Sequence, residues 1–231
     1  MISLKNNKSF NKNNIKIYND FNAQLQIEYP QVNFVNNFYL ILEKIILSKK
    51  DELNYCECGV FNGGTLIPVA LFSETLDKKV NLTGADSFEG FPDKELNPID
   101  TFNTFEKEFN DGKITLNHFE KAKVICSQKQ NVLDKEYFNG VTKHIFEFCE
   151  KKDIKLIKGY FDDSLPAYND PIDILFLDCD LYDSYLSCLD NLYDNVLENG
   201  CIIFDEYFSF KYPGARVAVD EFFKNKTGYF E

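Results

Sequence analysis

Two hydrophobic rhythms alternate along this chain. Short apolar runs closed by glycine, proline or acid are separated by stretches whose apolar residues recur at helical spacing. That alternation predicts an α/β fold with a central, mostly parallel sheet and helices on both faces. The strand-like runs are residues 53–60 (LNYCECGV), 80–86 (VNLTGAD), 154–159 (IKLIKG), 172–178 (IDILFLD) and 201–205 (CIIFD). The last two are apolar without interruption, as parallel strands buried on both faces are. Helices are predicted over 34–48, with Phe34, Tyr39, Leu42 and Ile46 facing inward, over 66–76 with Pro68 in the first turns, over 183–197 and over 214–226. Residues 87–102 carry turn chemistry throughout (Gly90, Pro92, Pro98) and read as an irregular loop. Helical patches follow near 103–110 and 134–150. Residues 87–150 together read as a long lid insertion after the second strand, and 227–231 as the start of a final strand. Residues 1–50 are expected to form an N-terminal arm and helix, and 51–231 one domain.

The predicted strand ends carry the chemistry. Asp178 with Asp180, and Asp205 with Glu206, close the fourth and fifth strands. In open α/β sheets the ligand crevice lies outside the carboxyl ends of the strands, so four acids converge on one edge. Such a cluster binds a cation, shares protons or repels itself. Between the first strand and its helix runs Glu57-Cys58-Gly59-Val60-Phe61-Asn62-Gly63-Gly64-Thr65. The spacing is neither the dinucleotide G-x-G-x-x-G nor a P-loop. Glu57 opposes a pyrophosphate but suits an ammonium or sulfonium group. Asp86, ending the second strand, is placed to accept from both ribose hydroxyls. A nucleoside with cationic character describes S-adenosylmethionine.

Composition narrows the partners. The net charge of −12 argues against nucleic acid, whose binding rests on Lys and Arg. No apolar run approaches the ~20 residues of a membrane span. The polar, Asn-rich start has no apolar signal region, and seven Cys without zinc-type spacing read as buried thiols of a reducing cytoplasm. Cys56 and Cys58 should share one strand face. The aromatic N-terminal helix and the abundance of Phe and Tyr make a homodimer or higher homo-oligomer the expected assembly.

These motifs resemble the macrocin O-methyltransferase family, metal-dependent sugar methyltransferases. The resemblance spans roughly residues 55–223. It is carried by ECGVFNGGT, DSFEGFP, KGYFDDSLP, LDCDLYDS, IIFDEY and GARVAVDEF, of which DSFEGFP and LDCDLYDS are specific. It implies a Rossmann-like class I methyltransferase fold, with residues 51–231 as the S-adenosylmethionine-dependent domain. Asp178, Asp205 and Glu206 would ligate Mg²⁺ (or Mn²⁺), and Asp180 would be the general base beside Asp178. The cofactor would lie against Glu57, Gly59, Val60, Phe61, Gly63, Gly64, Thr65, Asp86, Ser87 and Asp178. Phe161 would stack on adenine, and Asp162 or Asp163 would accept from its amino group. The acceptor would be a small molecule with a hydroxyl, most simply a sugar or glycan precursor of antibiotic, capsule or lipopolysaccharide type. Three departures stand out. Glu206 replaces a usual Asp, Cys179 stands where Gly is usual, and the chain stops at Glu231, which would leave the terminal hairpin of this fold incomplete.

Some roles stay open at this stage. Asp180 should point to the same side as Asp178 if strand geometry persists, or else serve the dipole of the following helix. Asp183 and Ser184 read as helix-start residues. His144 and His118 are weak substrate candidates. Arg216, the sole Arg, would either hold the acceptor or pair with Asp220. Acceptor specificity is expected in residues 87–118 and the N-terminal arm. Alternatives are a non-sugar acceptor such as a phosphoramidate or small metabolite, a nucleotide-binding oxidoreductase-type domain, and a non-catalytic relative.

Overall fold

A computed structural model describes residues 38–76, 78–92, 96–127 and 135–226, together with 23, 25 and 27–29. The first strand, β1 (Glu52–Cys58), follows helix α1 (Phe38–Leu47). Helix α2 (Leu66–Ser73) leads to β2 (Lys79–Asp86). Three helices follow, α3 (Phe102–Asn110), α4 (Leu116–Ser127) and α5 (Lys135–Lys152). Then come β3 (Lys155–Lys158), the short α6 (Phe161–Ser164), β4 (Ile172–Leu177), α7 (Tyr182–Leu192), β5 (Val196–Phe204) and α8 (Pro213–Phe223). Among the described residues the strands form one sheet in the order β3-β2-β1-β4-β5, and every pair is parallel. The expected final strand over 227–231 and the polar arm over 1–20 lie outside the described residues.

Side-chain alternation along the strands builds two cores. Tyr55 of β1 and Ile174 and Phe176 of β4 face one layer, with Ile41, Leu42 and Ile45 of α1, Leu66 and Ile67 of α2, and Ile145 of α5. Cys56, Cys58, Leu175 and Leu177 face the other, against Tyr185, Cys188 and Leu189 of α7 and Ala215, Ala218 and Val219 of α8. The expected sharing of a face by Cys56 and Cys58 holds, and all seven cysteines are unpaired. The inward stripe of α1 is shifted by one residue from expectation. Ile45 is fully buried and Ile46 is 36% exposed, because the helix meets the sheet along Ile41, Leu42 and Ile45. Phe34 is outside the described residues.

The stretch 87–150 is more helical than its sequence suggests. Helix α4 was not legible, since Leu116 and Val124 face solvent and only Ala122 is buried. It is held instead by an aromatic cluster in which Phe102, Phe109, Phe119 and Phe210 pack around Phe105, Ile114 and Ala122. The loop before α3 is pinned as well. Asp100 Oδ1 accepts from the Tyr182 N–H (2.9 Å) at the start of α7, and Asn97 Nδ2 donates to Asp183 (3.0 Å). The predicted helix over 183–197 ends at Leu192, and β5 begins at Val196.

Candidate functional site

The ladder hydrogen bonds run one residue past the strands and line up a row across the carboxyl edge. Gly159 N–H donates to Asp86 O (3.0 Å), Gly59 N–H to Ala85 O (2.9 Å), Asp178 N–H to Cys58 O (2.9 Å) and Asp205 N–H to Leu177 O (2.9 Å). The row therefore reads Lys158, Asp86, Gly59, Asp178, Asp205 in the order of the strands. With strands about 4.8 Å apart, Asp86 and Asp178 stand roughly 10 Å from each other with Gly59 between them. No side chain fits at Gly59: a Cβ there would lie 1.7 Å from the Asp178 carbonyl oxygen, and its φ is +95°. Glycine thus lets the loop after β1 press against the end of β4.

At one end of the row Asp178, Asp205 and Glu206 converge. One carboxylate oxygen from each lies within 4.8 Å of the others, an oxygen donor set of the kind hard divalent cations take. Burial and the neighbouring Asp205 push Asp178 up to about 7. Burial, then Asp178 and Asp180, hold Glu206 well above the carboxylate range. Glu206 is reached from below by Tyr185, whose hydroxyl lies 2.6 Å from Oε2 and 2.8 Å from the Leu177 carbonyl. The phenol has one proton for two acceptors. A protonated Glu206 donating to Tyr185, which in turn donates to Leu177, satisfies both contacts. The longer arm of Glu206 still brings it into the trio.

Asp180 reaches the cluster by a route the alternation argument did not foresee. Strand β4 ends at Leu177, and Asp180 has a left-handed backbone with φ +62°. The premise of continued strand geometry therefore fails, yet Asp180 sits in the field of its neighbours. Burial and then Asp178 raise its pKa well above the ordinary value, while Lys211 opposes the shift. Cys179 is buried in the second core and turns away from the cluster. Asp183 lies in the first turn of α7, as expected of a helix-start residue.

The glycine loop is mostly interior. Val60, Asn62, Gly63, Gly64 and Thr65 are buried, leaving Gly59 and Phe61 as its partly open residues. Glu57 is 1% exposed and accepts from Tyr55 Oη at 2.6 Å, on the face of the first core. Burial raises its pKa well above the usual value. An internal partner thus stands where a cationic ligand group was expected. Asp86 likewise spends its oxygens on the backbone, accepting from Phe61 N (2.8 Å) and Phe88 N (2.7 Å), and so clamps the glycine loop to the DSFEGFP turn. Burial raises its pKa against these bonds. The Val60 backbone and the Ser87 side chain add to these contacts. His144 serves the same loop, with Nε2 2.7 Å from Asn62 O.

Beyond Asp86, a cavity of about 440 Å³ opens between the ends of β2 and β3, lined by Ser87, Glu89, Lys158, Tyr160, Asp163 and Ser164 among others. Ser87 and Asp163, both expected against the nucleoside, are among its lining residues. Phe161 is not: its ring packs against the second core, so the aromatic ring on this cavity is Tyr160. Asp162 is exposed and does not line the cavity. Tyr160 was missed because the choice between adjacent aromatics depends on the direction of a short helix that begins at Phe161.

The remaining candidates are structural. Arg216 pairs with Glu108 of α3 rather than with Asp220, Nη2 to Oε1 2.8 Å, with both side chains less than 10% exposed. The N–H vectors miss hydrogen-bond alignment, so the contact is an ion pair. Asp220 instead accepts from Tyr207 Oη (2.7 Å). His118 Nε2 lies 3.1 Å from Ser209 O and tethers α4 to the loop after Glu206.

Comparisons with known proteins bear on the family and the fold. The family model described as Macrocin-O-methyltransferase (TylF) matches residues 33–228. Demethyldecarbamoylnovobiocin O-methyltransferase of Streptomyces niveus is 28% identical over 170 residues, covering 72% of this chain and 56% of its own length. The chain thus spans little more than half of that curated relative. Among solved structures, the O-methyltransferase NovP superposes with a TM-score of 0.51 at 24% identity, over 81% of this chain and 69% of NovP. The calicheamicin methyltransferase CalS11 does so with a TM-score of 0.50 at 18% identity, over 80% of this chain and 68% of its own. Both share the fold of a central parallel sheet flanked by helices. On the match over 33–228, this chain belongs to the macrocin O-methyltransferase family.

Proposed function

We propose that the protein is an S-adenosylmethionine-dependent O-methyltransferase that methylates a hydroxyl of a sugar or glycan precursor with the help of Mg²⁺ or Mn²⁺. The observation that carries this reading is the trio Asp178, Asp205 and Glu206, with ligand oxygens within 4.8 Å, one step past the last rungs of β4 and β5. The sugar acceptor follows from the likeness to the novobiocin relative, and family membership supports the methyl donor over the oxidoreductase reading.

The residues divide the work by position. Ser87, Tyr160 and Asp163 would hold the adenosine in the cavity beyond Asp86, and the open backbone at Gly59 and Phe61 would face the methionine part. Asp178, Asp205 and Glu206 would hold the dication, which when bound acidifies an acceptor hydroxyl and fixes its orientation. Asp180, beside Asp178, would take the proton of that hydroxyl as its oxygen displaces the sulfur from the methyl carbon. With a good leaving group already on the donor, the protein's task is alignment and proton removal. The seven unpaired thiols fit a reducing, cytoplasmic setting.

The test is a coupled assay of S-adenosylhomocysteine release over a panel of nucleotide sugars and glycosides, with Mg²⁺ and with chelator. Expected is methyl transfer to a hydroxyl that chelator abolishes and Mn²⁺ restores. Full turnover in chelator overturns the metal role, and binding of S-adenosylhomocysteine with no transfer to any hydroxyl overturns the activity. Sedimentation at micromolar concentration tests the expected homo-oligomer.

A further inference from the structure

Asp180, the base in the reading above, is carried on a strained turn. Its φ is +62°, and across it the Leu181 N–H donates to Cys179 O at 2.6 Å. A three-residue turn closed around a central residue of positive φ is the rare and strained form of the γ-turn. Strain of this kind persists only where surrounding contacts impose it. Helix α7, which follows at once, gives little help from its own sequence. Leu181 stands at its N-cap, and a leucine has no side-chain oxygen to offer the first N–H groups.

The missing cap comes from a distant segment. Asp100 Oδ1 accepts from the Tyr182 N–H at 2.9 Å, across a separation of 82 residues. Asn97 Nδ2 donates to Asp183 Oδ1 at 3.0 Å, one residue further along α7. The 97–100 turn is itself stiffened, since Asn97 Oδ1 accepts from the Ile99 N–H (3.0 Å) and the Asp100 N–H donates to Asn97 O (2.8 Å). Gly214, the second residue of α8, leaves the space that the carboxylate occupies. A Cβ there would lie 1.9 Å from Asp100 Oδ1 and 2.8 Å from Tyr182 Cβ. Asp100 is thus wedged between the starts of α7 and α8, bonded to the second residue after Asp180.

We propose that Asp100 is a positioning residue for Asp180: by capping α7 from the 97–100 turn it fixes the strained turn over 179–181, and with it the place from which Asp180 takes the acceptor's proton. The inference rests on the methyltransferase reading, in which Asp180 is the base. It makes the segment before α3 part of the machinery of proton removal without any contact between Asp100 and the acceptor. Because Asp100 acts through Asp180, its removal matters only while the Asp180 carboxylate is present. A residue that merely stabilised the fold would matter equally in both backgrounds.

The test is a double-mutant cycle on the full chain, with labelled S-adenosylmethionine, Mg²⁺ and the hydroxyl acceptor identified by the panel above. Asp100→Ala should lower kcat about tenfold while KM for donor and acceptor stays within about twofold. Asp100→Asn keeps an oxygen for the Tyr182 N–H and should hold kcat within about threefold of wild type. In the Asp180→Asn background Asp100→Ala should cost less than about twofold. Amide hydrogen exchange gives a readout that needs no acceptor: Asp100→Ala should speed exchange at Tyr182 about tenfold, and Asp100→Asn should not. Asn97→Ala, which frees the same turn from Asp183, should move both readouts the same way by about threefold, and it carries the test if Asp100→Ala does not fold. Exchange at Tyr182 unchanged in Asp100→Ala overturns the clamp. Equal loss of kcat with and without the Asp180 carboxylate overturns the positioning role. Wild type that binds S-adenosylhomocysteine but methylates no hydroxyl overturns the methyltransferase reading, and the positioning role falls with it.

Discussion

Raising the pH on the metal-free protein should loosen it, and a dication should undo the loss. Asp178 is pushed from 3.8 up to about 7 by burial first and by Asp205 second. A carboxyl whose folded pKa lies above its unfolded value favours folding in its neutral form. That contribution is complete below the unfolded pKa and is lost as pH rises through the folded one. The full shift, at about 1.4 kcal/mol per unit, is worth roughly 4 kcal/mol. About half of it, roughly 2 kcal/mol, falls between pH 5.5 and 8, the rest having been lost below. Asp178 keeps some contact with solvent, so these figures are ceilings. Asp180 and Glu206 shift in the same direction and add to the slope. For a chain of this size about 2 kcal/mol lowers the thermal midpoint by roughly 4–8 °C. The assay is differential scanning fluorimetry across pH 5.5–8, with and without Mn²⁺, on wild type and Asp178→Asn. Wild type should lose midpoint with pH, Asp178→Asn should lose less, and Mn²⁺ should stabilise wild type at pH 8 but hardly at pH 5.5, where protons compete with it. A midpoint that rises with pH, or Mn²⁺ stabilisation equal at both ends and unchanged in Asp178→Asn, would refute the reasoning. Asp100, pushed up to about 6 mainly by burial, has the same sign, so Asp100→Asn is the control for slope arising elsewhere.

Other consequences follow from the same geometry. Gly59→Ala forces a methyl to 1.7 Å from a carbonyl at positive φ and should cost upward of about 3 kcal/mol in urea unfolding, whereas Gly112→Ala, at φ +72° with open space around it, should cost about 1 kcal/mol. Arg216→Met strands a buried Glu108 and should destabilise by about 3–5 kcal/mol, while Arg216→Met with Glu108→Leu should recover most of that loss. Asp205→Asn should weaken Mn²⁺ by calorimetry at least about tenfold with S-adenosylhomocysteine affinity nearly intact, because Asp205 stands at the far end of the row from the nucleoside cavity. Tyr160→Ala should do the reverse, costing about 1–3 kcal/mol of nucleoside affinity if the ring stacks on the base and leaving Mn²⁺ binding unchanged.

What the sequence made legible was what local pattern controls. Apolar runs ending in acid placed β4 and β5, the parallel ladder then brought Asp178 and Asp205 side by side, and the turn residues placed the glycine loop. What it hid was pairing across distance. Glu57 and Asp86 carry the right chemistry for a cofactor, but whether each oxygen faces a ligand or a neighbour depends on Tyr55, Phe61 and Phe88. Arg216 found its acid on α3, and α4 is held by aromatic contacts that its own weak amphipathic pattern does not announce. Several of these hidden contacts meet on the turn at 209–213. His118 ties Ser209, Cys126 Sγ lies 3.6 Å from Phe210 O, and a Cβ on Gly214 would strike Asp100 at 1.9 Å. The segment 97–127, which overlaps the stretch 87–118 expected to decide acceptor choice, is thereby fastened to the turn that follows Asp205 and Glu206. On the proposed function, sequence variation in α3 and α4 would reach the acceptor side of the site through that turn without touching the acids.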